Sequence, residues 1–186
     1  MPAIPVFEIG IWNAWIFMLM NFLPMPIIMR VHKGVLEDSM RSYSKAHKTL
    51  NYIEWVLWGL AFLYSIFLPL RLGAIWSYIG LPIALVGLVA FVTVTVSFVT
   101  TPIGEKPITT GIYRYSRHPM YITQLVMFIG VGIASASWLF LLLTIVYTGL
   151  GFIYASSEEC ACLEKYGDAY QKYMERTPRW IGLPKS

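Results

Sequence analysis

"MYITQLVMFIGVGIASASWLFLLLTIVYTGLGFIYASS", residues 120–157, runs for 38 positions without Asp, Glu, Lys or Arg. As one straight helix it would be about 57 Å long at 1.5 Å per residue. That is nearly twice the roughly 30 Å hydrocarbon core of a bilayer. The stretch is therefore expected to fold back on itself, turning at "ASAS", Ala134 to Ser137. Its first arm is short, so either a full crossing or a partly re-entrant path fits it. In both cases the two ends of the hairpin return to the same side.

Working outward, Leu72 to Gly104 forms a second uncharged run, of 33 residues. Its apolar part predicts a helix over Ala74–Val99, in which "GLPIALVGLVAF" offers small residues for close helix packing and Pro82 for a kink. Before it, Ile53–Leu70 reads as another helix, with Glu54 near its start and Arg71 closing it. The first candidate is Ile11–Met29, kinked or ended by Pro24 and Pro26. Together these make five crossings.

Composition agrees. Of 186 residues, 57% are hydrophobic and only 13% charged, more apolar surface than a soluble domain of this length can hide. The fold class expected is an all-α integral membrane protein with five transmembrane helices and a cytoplasmic C-terminal helix. The chain reads as a single membrane domain, 1–186. Residues 1–104 hold the first three helices and their loops. Residues 105–186 hold a polar loop, the hairpin and the tail. No removable leader is expected, because "MPAIPVFEIG" lacks a basic segment and no small-residue cleavage site follows.

The net charge of +4 by itself would suit nucleic acid, but its distribution argues for topology instead. With five crossings, Arg30, Lys33, Arg41, Lys45, Lys48, Lys106, Arg114, Arg117, Lys165, Lys172, Arg176, Arg179 and Lys185 fall on one side, and Arg71 alone on the other. The positive-inside rule makes the crowded side cytoplasmic, with the N-terminus outside and the C-terminus inside. The partners expected are a lipid bilayer and a lipophilic or amphiphilic small molecule, not nucleic acid. The membrane expected is the cytoplasmic one.

Cys160 and Cys162, two apart on a helix, do not face each other and predict neither disulfide nor metal site. His32 and His47 have no partner at a ligand spacing, so no metal is expected. Glu8 and Glu54 lie near predicted helix ends, where solvation accounts for them. The tail "SSEECACLEKYGDAYQKYMERTPRWIGLPKS" reads as the cytoplasmic continuation of the last helix into a polar, aromatic-rich helix that ends before Pro178. Within it Tyr166, Tyr170 and Tyr173 share a face, best explained by packing on the membrane surface or on the other loops.

The hairpin brings two distant motifs together. His118 opens the first arm and Glu158 closes the second, so both should lie at the cytoplasmic rim. Pro119 suits the first helical position, and the free N–H groups of that helix start attract an anion. Glu158 and Glu159 offer acceptors for ammonium or hydroxyl groups. Arg117 and His118 offer donors, and Tyr113, Tyr115 and Tyr121 offer aromatic walls. A zwitterionic nucleoside would need that set. Snorkelling arginine, an interfacial tyrosine belt and a solvated glutamate face explain the same residues without chemistry.

At these residues the chain resembles the isoprenylcysteine carboxyl methyltransferase and phospholipid N-methyltransferase group of membrane enzymes. The resemblance rests on "KPITTGIYRYSRHPMY" followed by "EECACLEKYGDAYQKYMERTPR", roughly residues 105 to 181. It implies S-adenosylmethionine as methyl donor, held by Ile108, Tyr113, Arg117, His118, Pro119, Met120, Tyr121, Glu158 and Glu159, without a Rossmann domain. In the carboxyl methyltransferase branch an arginine one turn before the glutamate pair is associated with the substrate carboxylate. Tyr154 stands there in this chain and cannot make a bidentate charged pair, so an amine or thiol acceptor is expected ahead of a carboxylate. For an ammonium acceptor, Tyr154 or Glu159 is expected to receive the proton. The competing reading is a membrane scaffold or transporter subunit without catalysis, against which few ionisable groups stand at membrane depth in the first three helices.

Overall fold

The computed structural model describes residues 7–31, 45–101 and 106–185. His32, Lys33 and Arg41 of the expected basic loop lie outside the described residues. Among the described residues every regular element is helical, apart from an isolated bridge between Asn13 and Pro69. The helices are α1 (Trp15–Phe22), α2 (Pro24–Val31), α3 (Lys45–Ile66), α4 (Ile75–Thr100), α5 (Pro119–Ala134), α6 (Trp138–Tyr166) and α7 (Asp168–Arg176), with a 3-10 turn at Gly111–Arg114 before α5.

Two helices, α4 and α6, are long and apolar enough to cross a membrane, with mean hydropathies of 2.4 and 1.9 over their most apolar windows. Only 33% and 28% of those windows are buried inside the protein. A core helix of a soluble protein hides most of such a surface. Here Val86, Val89 and Val96 of α4 and Leu142, Ile145 and Ile153 of α6 face outward, as a lipid solvent allows.

The hairpin forms where its length demands. α5 ends at Ala134 and α6 begins at Trp138. Ser137 caps the second arm by accepting from Phe140 N (3.1 Å). The first arm has 16 residues, about 24 Å of helix, and remains short of a full hydrocarbon core.

Elsewhere the helix ends depart from expectation. The first candidate is two helices of eight residues each, parted at Leu23, because Pro24 has no N–H to donate and takes the first position of α2. The second begins at Lys45 instead of Ile53, since "KAHKTLNY" contains no breaker and hydropathy marks the apolar part of a helix, not its ends. It stops at Ile66, ahead of Pro69, where the Asn13 amide takes the terminal carbonyl (2.7 Å to Ile66 O). The tail does continue into a further polar helix that ends before Pro178: Gly167, at a φ of 50°, ends α6 and redirects the chain into α7.

α4 and α5 are the closest pair, and small residues allow it. A Cβ on Gly130 would lie 2.6 Å from Ala84 Cα, and one on Gly87 would lie 2.6 Å from Met127 Cα. Their backbones touch, as expected for small-residue seams in lipid. On the other side of α5, aromatic packing joins the helices: Trp58 of α3 stands 4.3 Å from Phe22, 5.7 Å from Phe128 and 5.9 Å from Tyr147, centroid to centroid. This packing fixes α5 against α6, and so fixes His118 against Glu158. Arg71 lies at the other end of α5 from His118, its N–H donating to Ala134 O (3.1 Å).

Candidate active site

His118 precedes α5 and Glu158 and Glu159 lie near the C-terminal end of α6, yet they are in contact. His118 Nε2 is 3.1 Å from Glu159 Oε1, and Nδ1 is 3.3 Å from Glu158 Oε2. The imidazole therefore bridges both carboxylates, hydrogen-bonded through Nε2 to Glu159 and within ion-pair distance of Glu158 through Nδ1. His118 is buried, and its backbone N–H donates to Ser116 Oγ (3.1 Å), which sets the bend before Pro119.

The two glutamates differ in surroundings. Glu159 is 3% exposed and enclosed by cations. Arg179 donates through Nε to both oxygens (3.2 and 3.1 Å) and through Nη2 to Oε2. Arg117 Nε approaches Oε1 at 3.2 Å but points off the hydrogen-bond direction, leaving it buried and without a hydrogen bond among the described residues. Glu159 in turn holds the Arg179 guanidinium above its usual pKa range through these hydrogen bonds. Glu158 is 40% exposed and accepts from Tyr121 Oη (3.0 Å), so it keeps acceptor capacity toward solvent.

The loop and tail close around this centre. Tyr113 is buried above α4, beside Phe98, and its carbonyl accepts from Tyr173 Oη (2.7 Å). Burial holds both phenols well above the usual tyrosine range, so they stay neutral. Arg117 N donates to Pro178 O (3.1 Å) and Gly182 N to Tyr115 O (3.0 Å), so the last residues run beside the motif loop. Trp180 thereby covers His118, centroids 5.8 Å apart, and packs on Phe152 at 4.4 Å.

Of the residues singled out in the sequence, Arg117, His118, Pro119, Tyr121, Glu158 and Glu159 come together here. Tyr113 joins them through the loop. Tyr154 is buried one turn before Glu158 on α6. Ile108 and Met120 are half-buried, Ile108 in the loop ahead of the 3-10 turn and Met120 in the first turn of α5. Sequence reasoning assigned no site role to Arg179 or Trp180. The Pro178–Arg179 pair was visible as part of the motif, but Arg179 counted only as a topological charge. Tyr170 and Tyr173 pack together at 5.6 Å, one face of α7 turned to the loop, as expected of packing tyrosines.

Chemically the arrangement presents one half-free carboxylate, a helix start whose first turn has no side-chain cap, and a buried guanidinium with an unfilled N–H. That is a matched pair of cation and anion sites. Residues 89–169, from within α4 to the start of α7, match the family model of the phospholipid methyltransferases. This stretch carries the membrane methyltransferase pattern. It contains His118, Glu158 and Glu159 but stops short of Arg179 and Trp180. The match supports an enzyme that transfers methyl groups at a membrane. No curated protein and no solved structure gives a significant match.

Proposed function

We propose that the protein is an S-adenosylmethionine-dependent integral membrane methyltransferase acting on a small or lipid-like amphiphile, with an amine or thiol acceptor ahead of a carboxylate. The observation that carries this reading is the bridge from His118 to both glutamates, built from two motifs forty residues apart inside the matched stretch. The proposed arrangement in the membrane is five crossings, N-terminus outside and C-terminus inside, with the site on the cytoplasmic face.

The residues present fit a methionine-type zwitterion. Glu158, with Tyr121 beside it, would take the ammonium or a ribose hydroxyl. The first-turn N–H groups of α5 and the unfilled Nε–H of Arg117 would take the carboxylate. Ile108, Tyr113, Pro119 and Met120 would line the remainder. S-adenosylmethionine supplies an activated methyl on a sulfonium, and in-line transfer needs alignment above all. That favours reading Glu159, enclosed by Arg179, Arg117 and His118, as the strut that aligns the loop, because a carboxylate so paired is a weak base. Tyr154 is the group proposed nearest the acceptor.

Two measurements test this. Glu158→Ala should weaken binding of labelled S-adenosylmethionine by at least about tenfold, the loss of one charge-assisted hydrogen bond; unchanged affinity removes Glu158 from the donor site. In host membranes supplied with methyl-labelled donor, label in the organic extract should survive mild alkali and be absent with Glu158→Gln. Release of the label as methanol would mean an ester product and would overturn the preference for amine or thiol.

A further inference from the structure

Among the described residues two buried side-chain polar atoms have no hydrogen-bond partner, Thr95 Oγ1 and Arg117 Nε. Arg117 belongs to the site already described, whereas Thr95 stands on α4. A buried hydroxyl left unpaired costs stability and calls for an explanation. Thr95 has an internal partner within reach. A helical threonine can donate to the carbonyl four residues back, as Thr93 does to Val89 O and Thr100 to Val96 O, both at 2.8 Å on the same helix. Thr95, 5% exposed, makes no such bond to Phe91 O, so its hydroxyl is turned off its own helix. Valine has the same shape and would fill the place with nothing left unpaired.

The seam between α4 and α5 shows what Thr95 faces. A Cβ on Gly80 would meet the backbone of Ala134, one on Gly130 that of Ala84, and one on Gly87 that of Met127. The same antiparallel pairing, carried toward His118, sets Phe91 against Thr123 and Thr95 against Pro119, and all four are buried. This end of α4 also borders the motif loop. Phe98, one turn beyond Thr95, lies 6.5 Å from Tyr113, centroid to centroid, and Ser97 Oγ is 3.7 Å from a Cβ placed on Gly111. Pro119 opens α5 without an N–H, and no side chain caps the helix, so the N–H groups of Met120 and Tyr121 follow with no intrahelical acceptor. Thr95 O–H, Arg117 Nε–H and these N–H groups come from three segments and are all donors. Donors gathered in a dry place without acceptors fit an anion, and hydrogen bonds to a charge are strongest there. On a methionine-type zwitterion the carboxylate is that anion.

We propose that Thr95 is a further cofactor-binding residue, its hydroxyl holding the carboxylate of the methyl donor together with Arg117 Nε–H and the first N–H groups of α5. This rests on the methyltransferase reading and deepens it: the site selects its donor by the carboxylate, and α4 as well as the hairpin takes part.

The test uses the full chain in nanodiscs of phosphatidylcholine, whose fully methylated headgroup accepts no methyl, and two probes, S-adenosylmethionine and its decarboxylated analogue. The wild-type protein should bind the first at least about thirtyfold more tightly, and Thr95→Val should cut that preference about tenfold by weakening S-adenosylmethionine alone. Thr95→Ser, which keeps the hydroxyl, should stay within about threefold of wild type. Thr95→Val should melt at or above the wild-type temperature, because a methyl replaces an unpaired hydroxyl. A lower melting temperature would mean that the hydroxyl is paired within the protein, and overturns the proposal. Equal binding of the two probes by the wild type, an unchanged preference in Thr95→Val, or a loss of both probes alike also overturns it, while the methyltransferase reading stands. A wild-type protein that binds neither probe overturns that reading, and this proposal with it.

Discussion

Glu159→Ala should lower methyl transfer by about a hundredfold, the effect of a misplacement near 1 Å at the reacting groups. It should also cost about 2 kcal/mol of stability. Removing one member of a fully buried ion pair costs about 3–5 kcal/mol, because the partner is left charged and dry. Here the loss is unequal. Arg179 is 37% exposed and can turn to water, whereas Arg117, 10% exposed, cannot. The consequence for the site exceeds that for the fold: without Glu159 the Arg179 guanidinium loses its hydrogen bonds to α6, Trp180 keeps Phe152 but loses the ion pair that steadies its neighbour, and Nε2 of His118 loses its acceptor. A double-mutant cycle with Arg179→Met, read by thermal unfolding and by turnover, separates the pair from its surroundings. If Glu159 is a strut, Arg179→Met should lose turnover in parallel, and the double variant should be little worse than Glu159→Ala. Wild-type turnover in Glu159→Ala would remove Glu159 from the site in either role.

Much of this arrangement was readable from residue order because lipid reads hydropathy directly. An uncharged run too long for one crossing has to turn, and Ala134–Ser137 supplied the small residues to turn with; the meeting of His118 with Glu158 followed from that alone. What hydropathy does not report is where helices begin and end. α3 starts among Lys45–Lys48 because polar residues propagate a helix as well as apolar ones, and it stops where an amide from Asn13, 53 residues away, takes its last carbonyl. The same blindness put Glu54 at a helix end, whereas it stands nine residues inside α3. Arg179 and Trp180 were hidden for another reason. Their position depends on backbone bonds between the tail and Tyr115–Arg117, and no periodicity in the sequence records such pairing.

Gly130→Val should separate α4 from α5 and destabilise the protein by about 3 kcal/mol or more, the upper range of overpacking. A Cβ at Gly130 would stand 2.6 Å from Ala84 Cα and 2.8 Å from Gly80 O, against backbone atoms with no rotamer to yield. Gly80 has no side chain to give up in compensation, so the helices must move apart by about the thickness of the added group. In lipid there is little hydrophobic penalty to resist that separation, because tails fill the gap as readily as side chains do. The effect should reach the site. α5 carries His118 at its start, and α4 leads through Phe98 to Tyr113 and the loop, so donor binding should fall with stability. Gly59→Ala is the matched control. Nothing stands within 4 Å of a Cβ there, and a mid-helix alanine should leave stability unchanged or raise it by up to about 1 kcal/mol. Thermal unfolding of both variants in one detergent decides the matter: similar melting temperatures for Gly130→Val and Gly59→Ala would mean that the contact between α4 and α5 is not what holds His118 in register with Glu158.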